Sequence, residues 1–311
     1  MDTQALVDDV TTLATSAGRM VGTAGHRQAR SYLARRLAEL GLSPYGESFE
    51  LPYARDLMCN VIGVAPGRKP ELPSIVLAAH YDTCGPLPGA DDNAAAVAIA
   101  LRVAERLLAE PASRSVVIGL FDGEEPPYSF GPQMGSIHWY HQQRRGPVHC
   151  AIALDLVGHD VPVPGIEDLV FVTGMESDPE LVFDWNHPGV RVQPVLNRYV
   201  GDLSDHHVFR TNRHPFMFLS CGRWEHYHAR TDTPDRLNYT KMAAIAGLVE
   251  SMIRRVDGAR LAGPFDGGDT LALELETIGR HFGHVFGRGM KLRGRTDIDA
   301  FVGMAMSSFG L

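Results

Sequence analysis

The chain has 311 residues, 44% of them hydrophobic, with a formal net charge of −8 and a pI of about 5.9. That is enough apolar material for one large core in one or two domains. There is no basic block and no apolar run of membrane-spanning length, so neither nucleic acid nor a bilayer is an expected partner.

The first twenty residues have no basic start and no uninterrupted apolar stretch, and they contain Asp2, Asp8 and Asp9. No signal peptide is expected, and the chain reads as cytoplasmic. Leu6, Val10 and Leu13 keep helical spacing within 3–19 until Gly22 and Gly25 break it. A second helix is predicted over 27–40 from Ala29, Leu33, Leu37 and Leu40, with Gly41 as its stop. Both helices are expected on one face of a sheet. Strands are predicted over 46–52 and 57–64, then a Pro-rich turn over 65–73 and a buried apolar strand over 74–80.

A Gly/Pro loop follows, and a helix rich in Ala, Leu and Val is predicted over 93–109. The strand at 114–121 ends in Asp122-Gly123-Glu124-Glu125, ahead of a Pro/Gly loop and a helix over 137–144. The strand at 148–154 ends at Asp155. Further strands are predicted at 168–173, 190–196 and 215–220, with short helices near 178–185 and within 201–213. A last core helix spans 239–255, with Met242, Ile245, Val249 and Met252 on one side. This alternation predicts a doubly wound α/β fold, three layers deep (α/β/α), around a mostly parallel mixed sheet.

Residues 1–260 are expected to form the catalytic domain. Residues 261–311 follow as a helical extension, with helices near 270–285 and 296–308, that serves as a lid, a packing surface or a contact between copies. It is expected to bury Leu273, Phe282 and Phe286, with His281 and His284 on its surface. Cys59, Cys84, Cys150 and Cys221 are widely spaced, form no CxxC pair, and are expected as reduced thiols.

Chemistry concentrates at strand ends and the loops after them: His80 and Asp82, Glu124 and Glu125, Asp155, and Tyr227 with His228. Asp91 and Asp92 stand where the helix after the first strand end begins. Taken singly, each has an ordinary explanation as a turn former, a helix cap or a solvated carboxylate. Together they place imidazole and carboxylate donors where open α/β sheets bind ligands, and zinc accepts those donors. No cysteine is expected among the ligands. Two histidines and three carboxylates exceed the needs of one tetrahedral catalytic zinc and suit two ions sharing a carboxylate. His206 or His207 reads as lining the site or as packing, His226 as facing outward, and Trp224 and Phe130 as pocket walls or packing.

The segments HYD at 80–82, GADDNAAA at 89–96, FDGEE at 121–125, GS at 135–136, LDLVG at 154–158, SDHHVF at 204–209 and YHARTDTPDRL at 227–237 resemble metallopeptidase family 28 in their order. That family includes two-zinc aminopeptidases and glutaminyl cyclases, and the resemblance covers about residues 20–256. It implies a phosphorylase/aminopeptidase-like fold with two zinc ions per chain. It also implies that His80 and Asp155 hold one ion, Glu125 and His228 the other, and Asp92 bridges them. By the same resemblance Glu124 is the general base, and Asp82 supports His80 from behind by accepting its other ring N–H. Tyr227 is placed to donate to the oxyanion, and Asp205 supports the glutamates. The implied activity is removal of N-terminal residues from peptide or aminoacyl substrates, with self-association through the extension as a further expectation. The long PPYSFGPQ segment resembles the single-zinc cyclases instead, whereas Tyr227 and the ADDN run resemble the peptidases. A catalytically silent zinc-binding module is the remaining alternative.

Overall fold

From the N-terminus, helices α1 (Gln4–Leu13) and α2 (Ala24–Leu40) precede strands β1 (Ser43–Pro44), β2 (Glu50–Tyr53), β3 (Met58–Ala65) and β4 (Ser74–His80). Helix α3 (Ala95–Ala109), β5 (Val116–Phe121), α4 (Gly135–His138) and β6 (Val148–Leu154) follow. Next come β7 (Leu169–Thr173), β8 (Asn186–His187), β9 (Val190–Pro194), α5 (Asn197–Val200), α6 (His206–Thr211) and β10 (Phe216–Ser220). Helices α7 (Tyr239–Gly258), α8 (Leu271–Phe282) and α9 (Arg295–Phe309) complete the chain. The computed structural model describes residues 3–283 and 292–309.

Local chemistry sets the boundaries. The Thr23 side chain caps α2 by accepting from the His26 backbone N–H, and Gly41, with φ of 88°, ends it. Helix α1 stops at Leu13, short of the predicted 19, because residues 14–18 turn back in tight backbone hydrogen bonds.

The strands form one ten-stranded mixed sheet, ordered β1-β3-β5-β4-β6-β10-β7-β9-β8, with β2 also paired to β3. The central run β5-β4-β6-β10 is parallel throughout, and antiparallel strands flank it on both sides. Alternate residues feed opposite faces, as the two-residue strand period requires. Ile75, Leu77 and Ala79 of β4 join α1, α2, α3 and α7 in the larger core, while Val76 and Ala78 join Trp139 and Phe209 on the other face. The predicted three-layer α/β/α fold is the one observed.

Helices α8 and α9 belong to the larger core through Ile278, Phe282, Ile298 and Phe301, with Leu273 half-buried against it. Phe286 and His284 lie outside the described residues. His281 was expected on the surface but is buried. Its Nδ1 lies 3.1 Å from Gln193 Oε1, and burial lowers its pKa to about 4, so the ring stays neutral there. All four cysteines are free thiols, three of them buried and Cys84 half-buried.

Candidate metal centre

Parallel pairing gathers the polar strand ends. His80 sits opposite Phe121 in the β4–β5 register, so Glu124 and Glu125 emerge just beyond it. Asp155 follows β6 directly, and β10 leads into the loop that carries Tyr227 and His228. In an open α/β sheet these carboxyl ends form the binding edge.

Asp92 reaches the same point by a break in the backbone. Residues Ala90–Ala94 form a wide helical turn in which Asp92 and Asn93 leave helical angles, so α3 starts at Ala95 rather than at the predicted 93. Gly89 opens this turn with φ of 61°, and a Cβ there would lie 2.3 Å from the Asp92 carbonyl oxygen. Neither Asp91 nor Asp92 caps α3. Asp232 instead accepts the backbone N–H of Asp91 at 2.8 Å and of Asp92 at 3.1 Å, which fixes the turn. Asp91 accepts from the Gly158 N–H at 2.7 Å and pairs with His159 Nδ1 at 2.6 Å, beneath a stacked Trp224.

The resulting cluster is tight. His80 Nε2 lies 3.3 Å from Asp92 Oδ1, 3.6 Å from Asp155 Oδ1 and 3.8 Å from Glu124 Oε2. His228 Nε2 lies 3.1 Å from both Asp92 Oδ2 and Glu125 Oε1. Asp92 is therefore the carboxylate that touches both imidazoles, one through each oxygen. His228 holds a left-handed backbone with φ of 52°, a conformation costly for a non-glycine residue and common at functional sites.

Asp82 Oδ1 lies 3.5 Å from His80 Nδ1. Its two oxygens accept the backbone N–H groups of Glu124 and Glu125, each at 3.1 Å. Its visible work is to hold the glutamate loop. The same loop is anchored behind by Asp122, whose carboxylate takes His26 Nε2 at 2.9 Å and the Cys59 N–H at 2.7 Å. Gly123 adopts φ of 64°, and a Cβ there would strike Met58 Cε at 2.0 Å.

The electrostatics follow from so many buried carboxylates. Burial and the charges of Asp155, Asp205 and Glu125 push Glu124 well above the ordinary carboxylate range, against the pull of His80. Burial and Asp92 raise Glu125 to about 7, and burial raises Asp205 to about 7. Asp92 goes the other way: burial would raise it, but the imidazoles of His228 and His80 outweigh burial and lower it. His80 is likewise raised despite burial, by Glu124 and Asp155.

Both ring nitrogens of His80, Asp92 Oδ2 and Asp155 Oδ1 are buried without a hydrogen-bond partner. Buried polar atoms of this kind require a partner, and facing acceptors from several strands can share a cation. The donors fall into two groups within ligand reach: His80, Asp92 and Asp155, and Cys84, Glu125 and His228. Imidazole and carboxylate donors fit zinc. Cys84, not expected among the candidates, lies within ligand reach of Glu125 and His228. It sits in an irregular loop whose fold gave no periodicity to read.

Tyr227 stacks on His228, ring centroids 3.9 Å apart, and lines a cavity of about 360 Å³ together with Asp92, Glu124, Glu125 and Asp155. His206 is buried against Phe216 and Phe218, and His207 pairs with Asp202 at 3.2 Å; neither lines that cavity. Trp224 and Phe130 also lie outside its lining. His226 is turned to Thr231 Oγ1 at 2.9 Å.

The parallel strands of the α/β sheet converge on a His/Asp/Glu cluster whose donors are of the kind that hold a metal ion. The chain belongs to peptidase family M28, whose model matches residues 60–253. It is 29% identical over 223 residues to the uncharacterized protein YfbL of Escherichia coli, spanning 66% of that relative's length and 58% of its own. The fold is similar to LapA aminopeptidase of Legionella pneumophila, with a TM-score of 0.68 at 18% identity over 83% of this chain and 72% of that one. It is also similar to a glutaminyl cyclase of Tannerella forsythia, with a TM-score of 0.63 at 17% identity over 81% of this chain and 98% of that one.

Proposed function

We propose that the chain is a zinc-dependent exopeptidase, an aminopeptidase that hydrolyses the N-terminal bond of peptide or aminoacyl substrates. The observation that carries this reading is Asp92 standing between His80 and His228, with Glu124 beside the cluster and a largely apolar cavity adjoining it. His80, Asp155 and Asp92 would hold one zinc, and Glu125, His228 and Asp92 the other. Zinc in such a centre lowers the pKa of water and polarises a carbonyl.

The chain's own residues supply the rest. Glu124, whose proton affinity is raised, removes the proton from the attacking water and returns it to the leaving amine as the C–N bond breaks. Tyr227 donates its hydroxyl hydrogen bond to the oxyanion that develops on the carbonyl oxygen. Asp82 holds the Glu124 and Glu125 backbone in place for both tasks. The second donor group of His80 and Asp155 favours a two-ion centre over a single-zinc cyclase. Two assays on zinc-loaded protein decide between them. Release of nitroaniline from Leu-nitroanilide without ammonia from N-terminal Gln peptides is expected; the reverse pattern would establish the cyclase.

The buried carboxylates also predict how metal and pH combine. Glu125 and Asp205 have folded pKa values raised to about 7, so their stabilising share is complete below their ordinary range and is lost as pH rises through about 7. His228, raised to about 10, has the same sign above its ordinary 6.5. The metal-free fold should therefore melt at a lower temperature at about pH 8 than at about pH 5.5. Zinc, competing with protons for the same atoms, should raise the Tm more at the higher pH. A zinc-induced gain that is equal or smaller at pH 8 would contradict the cluster as the binding site.

A further inference from the structure

One thiol stands against the metal centre without belonging to any segment that carries the family resemblance. Cys84 lies between the HYD run at 80–82 and the GADDNAAA run at 89–96, in neither. The loop that carries it is pinned. The buried Arg19 guanidinium donates to the carbonyls of Tyr81, Pro88 and Gly89 at 2.7, 2.7 and 2.8 Å, which ties both ends of the loop to one side chain. Thr83 Oγ1 accepts the Arg19 backbone N–H at 2.8 Å and donates to the Gly85 carbonyl at 2.9 Å. The backbone of Cys84 is therefore fixed on both sides.

Cys84 Sγ, a carboxylate oxygen of Glu125 and a ring nitrogen of His228 lie within 4.8 Å of one another. A fourth group faces the same point. Asp92 Oδ2 is 3.1 Å from His228 Nε2 and has no hydrogen-bond partner, although Asp92 is only 5% exposed. A buried polar atom of that kind requires a partner. Cys84, Asp92, Glu125 and His228 together line a small cavity of about 10 Å³, about the volume that one water molecule needs. Asp92 and Glu125 also line the large cavity described above, whereas Cys84 and His228 do not. The thiol thus approaches the donors from the small cavity and leaves the large one clear.

We propose that Cys84 is the fourth donor to the zinc ion that Asp92, Glu125 and His228 would hold. Four protein donors close a zinc site, whereas three leave a position for water or substrate. The two ions are then unequal: this one is closed, and the one held by His80, Asp92 and Asp155 keeps the open position. A coordinating thiol gives up its proton, and a thiolate favours zinc over magnesium or manganese. The inference rests on the zinc assignment above, and not on the bond that is hydrolysed.

The test uses the full chain, stripped of metal, kept in a thiol-free reductant and reloaded with cobalt(II). Cobalt bound by a thiolate absorbs in the near ultraviolet, and its visible bands report bound cobalt of any ligation. Wild-type protein is expected to show both. Cys84→Ser should lose the near-ultraviolet band and keep visible absorption. It should bind one of its two zinc ions at least about 10-fold more weakly, since even a partner behind a ligand is worth about 10- to 100-fold. A second measurement needs no variant. Cys84 is half-buried and the other three cysteines are fully buried, so iodoacetamide should modify Cys84 in the metal-free protein, and zinc should abolish that modification. Visible absorption without a sulfur band, or a band that Cys84→Ser retains, would overturn Cys84 as a donor and leave the zinc centre standing. Equal alkylation with and without zinc would overturn it too. Wild-type protein that binds neither cobalt nor zinc would overturn the centre and the thiol donor together. A sulfur band lost in Cys84→Ser, from wild-type protein that hydrolyses no aminoacyl nitroanilide when loaded with zinc, would keep the donor and overturn the exopeptidase.

Discussion

Glu124→Gln is expected to lower kcat on an aminoacyl nitroanilide by about 10²- to 10⁴-fold, the usual contribution of a positioned general base. Zinc content should be unchanged. Glu124 Oε2 is 3.8 Å from His80 Nε2, but Glu124 belongs to neither ligand group, so an amide in its place removes proton transfer without removing a donor. The loop should also survive, because it is held through the Glu124 backbone: the N–H on Asp82 and the carbonyl accepting Ser129 Oγ at 2.6 Å. Metal-free Glu124→Gln should be at least as stable as the metal-free wild type. Burial and neighbouring carboxylates raise the folded pKa of Glu124, so its charge costs stability as pH rises through that value. A neutral isostere has no such cost. Activity close to wild type, with zinc still bound, would remove Glu124 from the reaction.

The layer order and the meeting of strand ends were legible because they follow from local pattern. Apolar runs such as residues 74–79 alternate with helical spacing, and strands so connected lie parallel with their ends together. The residues that hold the site in shape were less so, because their partners are remote in sequence. Asp91 reads as a helix cap, yet its partner His159 is 68 positions away. Asp82 reads as the support of His80, and only the fold turns its oxygens onto the Glu124 and Glu125 amides. His281 reads as exposed from its place on an amphipathic helix, and its burial depends on Gln193, 88 residues distant. Helical period located α8 and α9 to within a few residues, but period does not say what a helix faces. Their contribution to the cavity is a matter of tertiary packing, as is the approach of Cys84 to Glu125 and His228.

Asp92→Asn is expected to have the opposite effect on metal-free stability and a comparable or larger effect on activity. Asp92 faces His80 through one oxygen and His228 through the other, and its carboxylate is held low by both imidazoles. A group with a depressed folded pKa contributes stability above its ordinary range, and that contribution is already complete by about pH 5. The amide removes it and leaves the buried His80 and half-buried His228 imidazoles with less opposing charge. Metal-free Asp92→Asn should therefore melt below the metal-free wild type at neutral pH, where Glu124→Gln melts at or above it. On the catalytic side, losing the shared donor should reduce bound zinc from two ions to one or none. An ion's charge stabilisation is worth several kcal/mol at about 1.4 kcal/mol per tenfold, so kcat/KM should drop by about 10³-fold or more. Calorimetric melting of the two metal-free variants side by side, with zinc stoichiometry by atomic absorption, separates the roles. If both variants shift stability in the same direction and both retain two ions, Asp92 is not the bridge and the division of labour between the two carboxylates is wrong.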